Sequence, residues 1–312
     1  MSFQKFDYSG RTLRYRGKLL HQIVAVEDFM SSQGPIRAGC VGGWVETSRN
    51  LSQQGGCWIA DQAIAMDKSL ICEDAYVGHN AVLQDYVKVH GEAVVLGHSH
   101  LMKFAQVQGC ARVDGEVLVT NYAEIMDYAS IFGRAHIYGY ATIKDQAKID
   151  GEVHVYEHAV VGGKARLTDH ARIHGDSEIQ GFASVKDFAD IEGHAALEGE
   201  IEVADHAKIS GYAKIADHAC AKGNAIVCGN AILAGNVTAS SSPDQIANLP
   251  FLITITDAHI QIADEIHTLE EWQVISADEF DDLLPGEHAG HFWESYKTFI
   301  IAQAHQHMHV RR

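Results

Sequence analysis

A chain of 312 residues can hold one large or two ordinary domains, so length alone leaves the architecture open. Its 24 Lys and Arg against 41 Asp and Glu give a formal net charge of -17, which repels phosphate backbones and anionic lipid and argues against nucleic acid or a membrane surface as a partner. No apolar run approaches the roughly 18 residues of a membrane span, and the opening MSFQKFDYSGRTLR lacks the apolar core of a signal peptide, so a soluble, cytoplasmic protein is expected. Cys40, Cys57, Cys72, Cys110, Cys220 and Cys228 are scattered without CxxC spacing, which points to free thiols in a reducing compartment.

Residues 1–35 read as a small β cap, with strands from Thr12 to Arg16 and from His21 to Val26 before the turn SSQGP. From 36 to 240 the chain keeps a six-residue meter. Stepping by six from Ala63 to Val237 gives 30 positions, 22 of them Ala, so the column they form is cramped. Two residues after each lies a column in which 27 of 30 are Ile, Val or Leu, as from Ile71 to Leu233, and two residues before each lies a column from Asp61 to Gly235 in which 26 of 30 are Gly, Asp or Asn. Small and aliphatic residues two apart share one strand face, while Gly, Asp and Asn tolerate left-handed backbone, so each unit is a short strand and a turn. Such strands bury almost nothing alone and become stable only when coils stack into parallel sheets. Three units per coil, 18 residues, make an all-β solenoid of triangular section on the order of 50 Å long at about 4.8 Å per coil.

Residues 241–312 leave the meter. SSSPD closes the repeat, FLITITDAHIQIAD continues as strand, and from about Leu269 the pattern becomes helical. In the last helix Phe292, Trp293, Tyr296, Phe299 and Ile300 form an apolar stripe, expected to pack on the solenoid flank or to meet a second subunit. The tail His305, His307 and His309 reads as a frayed, exposed end, with incidental metal binding as the alternative.

The spacing of an aliphatic residue four before a small one, as in Ile59 to Ala63 and Ile71 to Ala75, resembles that of the hexapeptide-repeat superfamily. The flanking phrases HQIVAVEDF, GGWVETSRNLSQQGGCWIAD and HTLEEW resemble those of the YdcK-type β-solenoid proteins of enteric bacteria, over essentially the whole chain. The resemblance implies a left-handed parallel β-helix and an acyltransferase: an acetyl-CoA or other acyl-CoA donor, an acceptor amine or hydroxyl, and a homo-oligomer, commonly a trimer, although the extra caps could favour a dimer. No cofactor is expected to be bound covalently, and no residue of a donor site is identified.

Candidate chemistry comes from stacking the sequence by 18. One outward column reads Tyr86, Phe104, Tyr122, Tyr140, His158, Asp176, His194, Tyr212. It sets Asp176 between His158 and His194, so that the carboxylate could orient either imidazole as general base, with His136 and His154 stacked nearby. The bland alternative is a side-chain ladder, which any stacked sheet produces. Ala135-His136-Ile137 resembles a phrase of the UDP-N-acetylglucosamine acyltransferases, but the place of their catalytic His is Gly139 here. No coil His pair has the five-residue spacing of γ-class carbonic anhydrases, so no metal site is expected. No residue is inserted between Asp61 and Asn236, which leaves the flanks without a loop to wall a pocket and keeps a non-catalytic scaffold or binding module as the alternative function.

Overall fold

The computed structural model describes residues 4–246, 248–284 and 289–310. It is mostly β, with about 11 parallel coils repeating every 18 residues and a short C-terminal helical segment. The chain divides into two compact units, Met1–Asp176 and Ser177–Arg312. In both, two-residue strands recur every six residues and pair in parallel with the strand 18 residues on, as Val82 with His100 in the first unit and Asp190 with Lys208 in the second.

Local chemistry explains the meter. The small column is sealed inside, with Ala123, Ala129 and Ala135 all at 0 % exposure, and so is the aliphatic column at Ile125, Ile131 and Ile137. Every member of the Asp61 to Gly235 column has positive φ, from 54° at Asp61 to 126° at Gly115, so the chain turns each corner in left-handed backbone. Glycine meets that demand without a Cβ penalty. Where the corner residue is acidic it does something further: its carboxylate accepts the corner N–H of the next coil, as Asp127 accepts from Asp145 at 3.2 Å and Asp145 accepts from Gly163 at 2.9 Å. Glu73, Glu157 and even the His79 ring nitrogen serve Gly91, Gly175 and Gly97 in the same way. These bonds satisfy N–H groups that the strand ladder leaves over at the corners.

The first unit begins with an antiparallel hairpin, Phe6–Tyr15 and Lys18–Ala25, longer than the two strands expected. Arg16 and Gly17 both take positive φ and form the two-residue turn, so Arg16 ends no strand but makes the bend. A register shift between Tyr8 and Thr12, beside the left-handed Gly10, breaks the alternation that would have revealed the earlier half of the first strand. Lys18–Ala25 then pairs antiparallel with Val41–Val45, which pairs parallel with Ile64–Ala65. The hairpin thereby covers the sheet edge at this end of the coils. A second face is closed by a bridge between Leu51 and Ile71, held from below by the buried Asn50, whose Nδ2 donates to the Ser69 carbonyl at 2.9 Å.

In the second unit the coils end at Thr238–Ala239 and a four-stranded antiparallel sheet follows: Asp244–Ile246, Ile253–Ile255, His259–Ile262 and Glu265–Thr268. The last coils are covered in part by side chains of this region, since Ser242 Oγ accepts Ile226 N–H and Gln245 donates to the Cys228 carbonyl. Helices α1 (Leu269–Val274) and α2 (Ala277–Leu283) each open on a capping box, Thr268 with Glu271 and Ser276 with Glu279. Helix α3 (Ala289–Val310) brings Phe292, Trp293 and Ile300 into a core with Ile253, Ile260, Ile262, Trp272 and Phe280. Its apolar stripe is thus buried within its own subdomain, against that sheet, while Tyr296 and Phe299 stay exposed. The tail expected to fray is helical through Val310, and His307 is 4 % exposed.

Two corner substitutions test the role of left-handed backbone. Lys103 holds φ 60° and its Nζ donates to Asn121 Oδ1 at 2.8 Å on the surface, so Lys103→Gly should raise the urea midpoint, by about 0.5–1 kcal/mol of stability. A Cβ on Gly97 would lie 2.4 Å from the Gly115 nitrogen, so Gly97→Ala should lower stability by about 1–3 kcal/mol.

Candidate functional site

The residue after each corner points outward and meets its counterpart one coil away. In the first unit this places Tyr86 on Phe104, Phe104 on Tyr122 and Tyr122 on Tyr140, with ring centroids 4.9, 4.9 and 5.0 Å apart and planes within 16°. His158 continues the stack at 5.1 Å from Tyr140. Its Nδ1 lies 3.3 Å from Asp176 Oδ1, so the first unit brings together two of the three residues singled out from the sequence. The His158 and Asp176 side chains are 63 % and 53 % exposed, which leaves the pair in high dielectric. His194 lies in the second unit, where its ring stacks on Tyr212 at 4.8 Å and 8°.

His136 and His154 sit on paired strands with centroids 4.8 Å apart and planes tilted by 60°. Burial first, then the neighbouring His136 and Arg172 charges, push the His154 pKa below the usual imidazole value. Burial does the same to His90 and His100, helped by Lys88 and Arg16 respectively. Beside the aromatic column a cleft of about 300 Å³ runs between Tyr86, Phe104 and Tyr122 on one side and Lys88, Gln106 and Glu124 on the other. His158 is two coils beyond the last of these aromatic residues.

The same spacing of 18 marks further imidazole–carboxylate pairs. On a different corner His170 Nδ1 is 3.3 Å from Glu152, which Arg134 also meets at 3.2 Å while reaching Glu116. On the third corner, in the second unit, His218 Nδ1 is 3.5 Å from Glu200. All of these positions are residues directly after a left-handed corner, and all of the His–acid contacts join residues 18 apart. The contact at His158 therefore recurs at His170 in the first unit and at His218 in the second. His158 rests on an aromatic column, and His174 likewise stacks on Tyr156 at 4.6 Å with Glu157 at 3.9 Å.

Among the described residues no helix is long and apolar enough to cross a membrane. No family model matches the chain. Over 66 residues it is 39 % identical to a protein of Escherichia coli (strain K12) described as the uncharacterized acetyltransferase YdcK, a stretch that is 21 % of this chain and 19 % of that protein. The chain thus covers about a fifth of the length of the curated relative it matches. That short likeness and the coiled fold fit a YdcK-type hexapeptide-repeat protein.

Two measurements follow from these environments. In an NMR pH titration the His90, His100 and His154 rings should titrate below an ordinary imidazole. A depressed folded pKa means that the unfolded chain binds more protons between the two values, so their contribution to stability is complete above about pH 6.5 and is lost as pH falls through the folded values. Midpoints at or above 6.5 would contradict the dominance of burial at these rings. Because His158 and Asp176 are exposed stacked groups, His158→Ala and Asp176→Ala should each change the unfolding free energy by less than about 1 kcal/mol in urea titrations.

Proposed function

We propose that this chain is an acyltransferase that moves an acyl group from a coenzyme A thioester to a small amine or hydroxyl acceptor, with His158 as general base and Asp176 as its orienting carboxylate. The observation that carries this reading is the 3.3 Å contact between His158 Nδ1 and Asp176 Oδ1. A carboxylate on Nδ1–H fixes the tautomer in which Nε2 bears the lone pair, and Nε2 would take the proton of the attacking acceptor. The acceptor oxygen or nitrogen bonds to the thioester carbonyl carbon, the C–S bond breaks, and the imidazolium returns its proton to the departing thiolate. His194, stacked on Tyr212, is the alternative base. The short likeness to a protein described as an acetyltransferase supports the reaction class.

General-base catalysis needs water excluded from the nucleophile, and the exposed His158–Asp176 pair needs a second surface to supply that. A second copy of the chain, in a homotrimer or a homodimer, would provide it. The competing reading is a non-catalytic recognition scaffold. It is favoured by one observation, the recurrence of the His–acid pair as His170–Glu152 in the first unit and His218–Glu200 in the second.

Thermal-shift titration with coenzyme A and acetyl-CoA, followed by release of free thiol in the presence of candidate amine acceptors, separates the two. The acyltransferase reading expects a rise in Tm with ligand and a loss of turnover of roughly 10²–10⁴-fold in His158→Ala, with His170→Ala and His218→Ala close to the parent. No shift at millimolar coenzyme A, or equal effects of all three substitutions, would leave the scaffold standing.

A further inference from the structure

A carboxylate contact alone does not set His158 apart, because His170 and His218 make one too. The order of neighbours along the column does. For His170 and His218 the carboxylate, Glu152 or Glu200, stands on the preceding coil, whereas His158 has an aromatic ring on that side and its carboxylate on the other. Tyr140 lies one coil before it, with ring centroids 5.1 Å apart and planes within 16°, and Asp176 lies one coil after, 3.3 Å from Nδ1. We infer that Tyr140 is a positioning residue for His158: its ring face fixes the imidazole plane, so that Nδ1 meets Asp176 and Nε2 is left to serve as the base.

The last torsion of an imidazole side chain is broad, and a carboxylate contact in high dielectric is too weak to hold it. A flat partner narrows the choice. Stacking on Tyr140 permits two orientations related by a half-turn, and the carboxylate selects the one that presents N–H to it instead of C–H. Tyr140 is itself held, since Tyr122 lies on its other face at 5.0 Å and 2°. The column runs back through Phe104 to Tyr86, whose ring and hydroxyl meet Lys68 Nζ at 4.8 and 3.1 Å. His174 has a similar stack on Tyr156, but Glu157 is 3.9 Å from its Nδ1 and commits Oε2 to the Gly175 N–H at 2.8 Å. In the proposed reaction the imidazolium would form over the electron-rich face of Tyr140, which stabilises it. That gain in rate rests on the acyltransferase reading; the orientation of the ring does not. The phenol hydroxyl has no part in either, so phenylalanine should serve in its place.

The test uses the full chain labelled with ¹⁵N at histidine, with the His158 signals identified by their loss in His158→Gln. At alkaline pH the parent should show the Nδ1–H tautomer at His158. Tyr140→Phe should keep it, while Tyr140→Ala and Tyr140→Leu should show both tautomers, with Nε2–H gaining. Tyr128→Ala, which removes an exposed ring after another corner, should match the parent. Circular dichroism confirms that each variant keeps its coils. In thiol-release assays with acetyl-CoA, kcat should fall on the order of tenfold in Tyr140→Ala with KM within about twofold, and Tyr140→Phe should stay near the parent. A parent without the Nδ1–H tautomer, or Tyr140→Ala and Tyr140→Leu spectra identical to the parent's, would overturn the inference. Mixed tautomers in those two variants, with no thiol release by any protein including the parent, would uphold the positioning role and remove the acyltransferase reading.

Discussion

The structure depends on one backbone constraint: every sixth residue from Asp61 to Gly235 must adopt left-handed φ, and the interior residue two positions later must be small enough to pass beneath its neighbours. A coil is three such corners. Because the interval never varies, a residue always meets the one 18 positions away, and the parallel ladders follow without further specification. Corner carboxylates reinforce the register. A side chain that costs strain in left-handed backbone recovers part of that cost by accepting the next coil's corner N–H, as at Asp85, Asp145 and Asp205.

The same constraint shapes the surface. Outward residues fall into columns, so stacked aromatics, alternating charges and His–acid pairs arise wherever like or complementary residues recur at 18. Such contacts are easily formed and weakly stabilising, since their members are exposed. A reactive site on a surface of this kind is decided less by the pair itself than by what covers it. That is why His158 and Asp176 carry the proposed base chemistry only together with a second surface.

Much of this was legible in the sequence because the meter is strict and the physics local. The coil period, the interior columns, the corner positions and the contacts from Tyr86 to Asp176 all follow from counting. The hairpin was read short because the irregularity near Gly10 interrupts its alternation and the Arg16–Gly17 bend needs no Asn or Asp to announce it. The helical stripe at Phe292, Trp293 and Ile300 was visible, but not its partner, since packing against Ile260, Ile262 and Trp272 is a tertiary choice that periodicity does not encode. The acid-to-amide bonds at the corners are hidden for a different reason: composition marks Asp only as a residue that tolerates left-handed φ, and its reach to the next coil appears only once the coils are stacked. His307 shows the same limit at the tail, where burial against Asp244 depends on the sheet beneath it.

The most direct test of the stacking constraint is a pair of deletions within the first unit, read by the cooperativity and midpoint of urea unfolding. Removing Gly109–Met126, one full coil, returns every later corner and interior residue to an equivalent position, and unfolding should remain cooperative with a midpoint near the parent's. Removing Gly109–Val117, half a coil, sets later corner residues where strand residues belong, and should abolish cooperative unfolding or lower the midpoint severely. Equal tolerance of the two deletions would contradict the account.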